Sequence, residues 1–446
     1  MNIVVLSGGT AANSILPALD SLSKDLSFIL PISDNGGSTS EILRVVGGPA
    51  IGDIRSRIVS MIKDPLLAEL FGYRLSDDVL TAKQEWNSIV DGTHDVWKDI
   101  PSQVKEICRS FMVHIQAELL KKHKNSAPFQ FEKASVGNLF LTGIRLFLGS
   151  LDASIELMLR LCRCEERISV IPCINTNHTH HISALLANGE VITGQSQISH
   201  PSKQMVSNSR LRSAVLEQNN SSSSLVGPDT LVHLNEDDVD EEDDEEYAYP
   251  GYIHPQLKLS QLHFDKLDIN EDHLLPAPIK RIFYINPYGE EVLPQGNSRA
   301  ISKLKQCDLV LYSIGSLMTS LLPITILGNI AESIVDNSKA RKVLLINNKY
   351  DRETFGLDGF HFVQMIIESM DRAVHSNIRK RRTSRVSRHE EPIPWQKFIT
   401  DVVYLEKGEI LVDTLALNSN GIRTHAIGSD TFDNEVLLQT LQSLQN

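Results

Sequence analysis

The first β-branched run of the chain, Ile3-Val4-Val5-Leu6, leads directly into Ser7-Gly8-Gly9-Thr10-Ala11-Ala12-Asn13 and then into helical residues. A glycine pair at the carboxyl end of a first parallel strand lets backbone amides approach an anion, and the following helix offers its positive N-terminus. Phosphate binding is the chemistry this turn supports, although a tight strand-to-helix turn without a ligand has the same signature. The spacing departs from the dinucleotide fingerprint, because Thr10 and Asn13 stand where that motif repeats its glycine. No nicotinamide cofactor is expected.

A second run ends in Ser33-Asp34-Asn35-Gly36-Gly37-Ser38-Thr39, about where a dinucleotide enzyme keeps its ribose-binding acid. A carboxylate facing a phosphate is repulsive unless a cation or a sugar hydroxyl intervenes. Asp34 is therefore a candidate Mg²⁺ or ribose contact, or else an ordinary N-cap. In Gly47-Gly48-Pro49-Ala50-Ile51-Gly52-Asp53-Ile54-Arg55, two glycines have the Walker A spacing, but Asp53-Ile54 replaces the required Lys and hydroxyl residue. Asp53 and Arg55 suit a metal or phosphate; an intrahelical ion pair is the plain alternative. Asn138, in an apolar stretch after Gly137, must find partners for its amide. Ser313-Ile314-Gly315-Ser316, continuing through Thr319 and Ser320, again reads as strand end, glycine turn and hydroxyl-rich helix start.

Other chemistries lack their residues. No nucleophile elbow is present, and none of the five cysteines has an evident base beside it. Cys162 and Cys164 form a C-x-C pair with no second pair at zinc spacing and read as small helix residues. His178, His180 and His181 read as an exposed histidine-rich loop.

Something must bring these turns together. Runs at Ile3–Leu6, Phe28–Ile32, Ile168–Cys173, Ile282–Ile285, Leu309–Tyr312 and Val343–Ile346 show no strict polar alternation, as for parallel strands covered on both faces. The expected fold is α/β: a Rossmann-like, doubly wound, mainly parallel sheet. Ile182–Ala187 and Val191–Thr193 around Asn188-Gly189 add a hairpin. The α/β domain would comprise residues 1–75 and 134–446, interrupted by a mostly helical insertion at 76–133 carrying Trp86 and Trp97. An acidic low-complexity insertion at 202–272 and a basic loop at 376–392 are both expected to be flexible. The basic loop is a solvated loop, a nuclear or other localisation signal, or a kinase-recognition segment.

Of 446 residues, 41% are hydrophobic and 22% charged, which excludes disordered, collagenous and disulfide-stapled classes. Ten of the acids fall between Glu236 and Glu246, so the rest of the chain carries about three of the net 13 negative charges. Duplex nucleic acid is not an expected ligand. Few, scattered cysteines and an N-terminus without a basic leader point to a reducing compartment, the cytoplasm. The uncharged stretch from Leu309 to Ala331 has the length of a membrane span, but its polar and glycine residues fit a strand, turn and helix better. No membrane association is expected.

The ordered series of motifs resembles the 2-phospho-L-lactate transferase (CofD-like) superfamily, especially its gluconeogenesis-factor branch. It comprises Gly8-Gly9-Thr10, Asp34-Asn35-Gly36-Gly37-Ser38-Thr39 with Arg44, Gly52-Asp53-Ile54-Arg55, Gly137-Asn138-Leu139, Gly315-Ser316-Leu317 with Thr319-Ser320 and Pro323, and Asn347 followed by Glu353-Thr354. The resemblance implies strand ends that bind a nucleotide-linked ligand, and a homodimer. Carried over, Gly8, Gly9, Thr10, Asp34, Gly36, Gly37 and Ser38 would surround the ligand with Asn138, Gly315, Ser316, Thr319 and Ser320. Asn13, Asn35, Ser313 and Asn347 belong to the same turns and complete the candidate set. Asp34 and Asp53 are the implied catalytic and metal-binding residues, with Mg²⁺ the implied ion.

Ala11, Asn35, Ala134 and Arg352 depart from the family pattern; Asn35 removes a carboxylate and weakens a Mg²⁺ site. No deazaflavin pocket is recognisable around Trp86 and Trp97, so no flavin is expected. The leading reading is a metabolic regulator that binds a UDP-sugar type of ligand. The alternative is a Mg²⁺-dependent transferase moving a phosphoester group from a nucleotide diphosphate to an alcohol, and a scaffold using the charged segments is third.

Overall fold

The computed structural model describes residues 1–33, 36–123, 128–199, 274–286, 288–381 and 392–444. Asp34, Asn35, the acidic insertion and most of the basic segment lie outside the described residues. In chain order the strands are β1 (Asn2–Leu6), β2 (Asp25–Leu30), β3 (Ile168–Pro172), β4 (His181–Leu186), β5 (Val191–Thr193), β6 (Ile279–Ile285), β7 (Glu291–Val292), β8 (Leu309–Tyr312), β9 (Arg341–Leu345), β10 (Asp401–Leu405) and β11 (Arg423–Ile427).

Seven of them form one sheet in the order β11-β10-β9-β8-β1-β2-β3, parallel throughout. Counting only these seven along the chain, the order on one side is 3-2-1-4-5-6, that of a Rossmann fold, with one strand added. Helices on both faces bury β1, β2 and β8, whose side chains read as continuous apolar runs. Connections leave β1 in opposite directions toward β2 and β8, so the topological switch point falls between β1 and β8. Ligands of open α/β sheets bind outside the strand carboxyl ends at such a point.

A second, antiparallel sheet of order β5-β4-β6-β7 contains the hairpin. The run Ile282–Ile285, expected among the parallel strands, belongs here; its strand mixes buried and partly open positions, as a half-covered antiparallel strand does. The Tyr284 hydroxyl, fully buried, donates to the carbonyl of Pro323 at 2.8 Å and ties this sheet to the segment following β8. Strands β10 and β11 escaped the sequence reading. The edge strand β11 (Arg-Thr-His-Ala-Ile) carries little apolar pattern and owes its state to pairing with β10.

Between β2 and β3 the chain makes helices Val79–Asp91 and Ser102–His123. They are continuous with the main core. Trp86 and Trp97 are buried, their indole N–H groups donating to Gln116 and to the Ile89 carbonyl. A Cβ at Gly143 would stand 2.5 Å from the Phe111 carbonyl, so helices Ser102–His123 and Val136–Leu148 meet backbone to backbone. The helix Gly359–Arg381 runs into the segment read as a basic loop, so residues 376–381 are helical. The histidine reading is also corrected: His181 is buried in β4, and His178 and His180 are half-buried. Burial pushes the His180 imidazole below its usual pKa. No single described helix is long and apolar enough to cross a membrane.

Candidate functional site

The β1 turn is closed from two sides. A Cβ at Gly8 would lie 2.5 Å from the Ser320 hydroxyl oxygen, and one at Gly9 would lie 2.5 Å from Asp53 Cα. The Gly9 contact is with backbone and admits only glycine, while at Gly8 the Ser320 hydroxyl would have to turn away; the two partners come from the segment after β8 and from the first turn of helix Gly52–Ser60. The peptide joining Gly8 to Gly9 is gripped at both poles: the Gly9 N–H donates to Asp53 Oδ1 at 2.8 Å, and Arg57 Nη2 donates to the Gly8 carbonyl at 3.3 Å. Asp53 and Arg57 can do this together because residues four apart share one helix face. Gly9 was expected to offer its amide to an anion, yet that amide is bound to Asp53.

Asn138 answers the partner question posed by its apolar context. Its amide nitrogen donates to Ser38 Oγ at 3.1 Å and Thr39 Oγ1 at 3.4 Å, while its oxygen accepts from Arg55 Nε at 3.0 Å. Ser135 caps the helix that carries it, and Gly137 lets that helix approach Phe71, whose carbonyl would be 2.3 Å from a Cβ. Asn138 thus fastens the start of helix Ser38–Val46 to helix Gly52–Ser60, and so to the β1 turn. Asn138→Ala removes the bond from Arg55 Nε and the two bonds to the Ser38 and Thr39 hydroxyls and is expected to cost about 1–3 kcal/mol, read from the urea midpoint.

The β8 end supplies the third wall. Gly315, at φ 137°, occupies a conformation other residues avoid. Its N–H donates to Asn347 Oδ1 at 3.0 Å, and Asn347 Nδ2 donates back to its carbonyl at 2.7 Å, locking the ends of β8 and β9 together. Ser316 caps a π-helical turn, Leu317–Leu321, by accepting from the Thr319 N–H at 3.0 Å. Ser313 is fully buried, and its hydroxyl has no hydrogen-bond partner among the described residues.

Around Ser316 lies a cluster the sequence reading did not assemble. The buried Glu353 carboxyl accepts from Ser316 and Ser199, and from Thr319 Oγ1 at 2.9 Å. Burial, then the charge of neighbouring Asp351, raise its pKa to about 7 despite those hydroxyls. Burial also raises Asp351, which accepts from Thr354 and from the Glu353 amide. Arg352 donates to the Gln197 and Ile198 carbonyls, ending the short helix Gln195–Ser199 beside Glu353. Glu353 had a motif signal, Glu353-Thr354 after Asn347; Ser199 and Arg57 had none.

The predicted residues therefore distribute as follows. Gly8, Gly9, Asp53 and Ser320 meet at the switch point, and Ser38 and Asn138 are fastened beside them through Arg55. Gly315, Ser316, Thr319 and Asn347 form the adjoining wall. Gly36 and Gly37 lead into helix Ser38–Val46, Thr10 is exposed, and the Asn13 side-chain oxygen is buried without a hydrogen-bond partner among the described residues. Asp34 and Asn35 lie outside the described residues. Among the described residues no three His, Cys, Asp or Glu side chains gather as a metal site, and one Asp53 oxygen is bound to Gly9.

Comparisons with known proteins agree with this geometry at the level of family and fold. The model of the family described as 2-phospho-L-lactate transferase CofD matches residues 3–425. An uncharacterized protein of Saccharomyces cerevisiae is 60% identical over 451 residues, spanning 100% of this chain and 99% of its own length. A gluconeogenesis factor of Halalkalibacterium halodurans is 24% identical over 127 residues, 28% of this chain and 39% of the relative. A crystal structure of a UPF0052-family protein from Bacillus halodurans superposes with a TM-score of 0.58 at 17% identity, covering 99% of this chain and 98% of that one. The chain belongs to the CofD family.

Proposed function

We propose that the chain binds a nucleotide-diphosphate-linked ligand, of the UDP-sugar type, as a gluconeogenesis-factor-like metabolic regulator. The observation that carries this reading is the Gly8–Gly9 turn wedged between Asp53 and Ser320 at the switch point of a Rossmann-ordered sheet. In helix Ser38–Val46 the Thr39 and Ser40 N–H groups donate to the Gly36 and Gly37 carbonyls, whereas helix Gly52–Ser60 begins at this rim with no side-chain cap on its leading N–H groups. Such groups favour an anion, and in this reading the pyrophosphate faces them. Because the Gly9 amide is engaged by Asp53, the glycines serve by letting Asp53 and Ser320 close on the turn, and the helix end supplies the donors.

A second reading, group transfer from a nucleotide diphosphate to an alcohol, is favoured by Glu353. A carboxyl with a pKa of about 7, set among hydroxyls on the same rim, suits proton exchange with an acceptor alcohol near neutrality. In this reading Mg²⁺ would be held by Asp34 and Asp53 and would offset negative charge on the diphosphate.

Thermal denaturation with UDP-N-acetylglucosamine, UDP-glucose, UDP and GDP, each with and without Mg²⁺, tests the first reading. A ligand at 100 times its Kd stabilises the folded state by about 2.7 kcal/mol, a rise of several degrees in Tm. No shift with any of these ligands overturns binding. Turnover of a bound nucleotide diphosphate in the presence of alcohols replaces the regulator with the transferase.

A further inference from the structure

Arg57 stands on the inner side of the β1 turn with its side chain entirely buried. Its polar contacts are thin for a guanidinium: Nη2 reaches the Gly8 carbonyl at 3.3 Å and Ser7 Oγ at 3.5 Å, both long for N–H donors. Nε and Nη1 are buried with no hydrogen-bond partner among the described residues. The plane lies over the Phe28 ring, 4.4 Å from its centroid. Opposite charge comes from Asp53, one helical turn earlier, and burial lowers the pKa to about 10, which leaves the group charged at neutral pH.

A cation in this position is unfavourable for folding. Burying an incompletely paired charge costs several kcal/mol, and an apolar side chain of similar volume packs against Phe28 without that penalty. Attraction to an anion outside the turn would offset the penalty, and a water-poor interior transmits such attraction strongly. Arg57 also draws the Gly8 carbonyl inward. Without that pull only the Asp53 bond to the Gly9 amide holds the peptide, and an outward turn of the Gly8 oxygen would repel a phosphate.

We propose that Arg57 is a positioning residue that makes the β1 turn selective for diphosphate over monophosphate ligands, by holding the Gly8 carbonyl inward and placing a buried positive charge behind it. This inference rests on the nucleotide-diphosphate reading above. It adds a charge-reading element to that site, and it predicts opposite effects of one substitution on stability and on binding.

The test compares wild type, Arg57→Met and Arg57→Lys as full-length chains. Calorimetric titration uses inorganic pyrophosphate, UDP, UMP, GDP and GMP, and each protein is also melted without ligand. In Arg57→Met the ligand-free Tm is expected to hold or rise, while pyrophosphate and diphosphate affinity falls about tenfold and monophosphate affinity about threefold. Arg57→Lys, which keeps the charge and can reach the carbonyl, is expected to recover most of the diphosphate preference. Equal loss for mono- and diphosphates, or a Tm drop in Arg57→Met that Arg57→Lys does not reverse, overturns the proposal in favour of a purely structural role. If Arg57→Met does not fold, Arg57→Lys with unchanged discrimination supports it and Arg57→Lys with lost discrimination overturns it. Wild type that binds none of the five probes removes the nucleotide-diphosphate reading itself, a result distinct from bound ligands whose discrimination ignores Arg57.

Discussion

Gly9→Ala is expected to abolish nucleotide-diphosphate binding and to destabilise the fold. The added carbon would stand 2.5 Å from Asp53 Cα, 2.7 Å from its carbonyl oxygen and 2.8 Å from its carboxylate. The first two are backbone atoms, so no side-chain rotation relieves the contact; helix Gly52–Ser60 or the turn must move. Overpacking of this kind costs roughly 1–3 kcal/mol. Movement also breaks the 2.8 Å bond from the Gly9 amide to Asp53 and displaces the Arg55 bond to Asn138. Loss of binding of about 100-fold or more follows if donors must sit within about half an ångström of their working positions. Titration with UDP and a urea melt read both effects. Gly72→Ala is the control, because the nearest atom to its added carbon, on Val59, is 3.8 Å away. Intact binding in Gly9→Ala would place the ligand elsewhere.

The second large effect is a loss of stability as pH rises. The Glu353 pKa is about 7 in the folded chain against an ordinary 4.5, so the folded state holds the proton more tightly than the unfolded state. The favourable contribution is complete below about pH 4.5 and is lost as pH rises through about 7. Asp351, raised in the same direction, adds to the slope. Glu353→Gln keeps one acceptor oxygen, for Ser199 and Thr319, turns an amide N–H toward the Ser316 hydroxyl oxygen in place of the second acceptor, and cannot ionise. Between pH 5.5 and 8 the wild type is expected to lose on the order of 2 kcal/mol relative to Glu353→Gln, which becomes the more stable protein at the alkaline end. Parallel stability curves for the two proteins would mean that Glu353 is ionised throughout.

Much of this site is legible in the sequence, because its signals are local. A glycine pair after an apolar run, a hydroxyl-rich turn after another, and an Asn-Gly hairpin each depend on a few consecutive residues. The Asp53-Ile54-Arg55 motif was legible as polar groups near a strand end, but not as a device. Its acid goes to the Gly9 amide 44 residues away and Arg55 goes to Asn138, 83 residues away. Ser199 and Glu353 are 154 residues apart, and no pattern in either neighbourhood announces the other. His181 looked exposed because its flanks are polar, but pairing with β6 carries it into the interior.

Side-chain chemistry and turn geometry belonged to the sequence by itself: which residues accept protons, which backbones tolerate close approach, where strands stop. The order of the strands decided everything that depends on meeting. Parallel pairing on both sides of β1 puts the ends of β2, β8 and β9 on one rim, and that arrangement selects which acid faces which amide. Burial then follows from the same arrangement and sets the charge states of Arg57 and Glu353, since desolvation depends on the whole packed surroundings and not on neighbours along the chain.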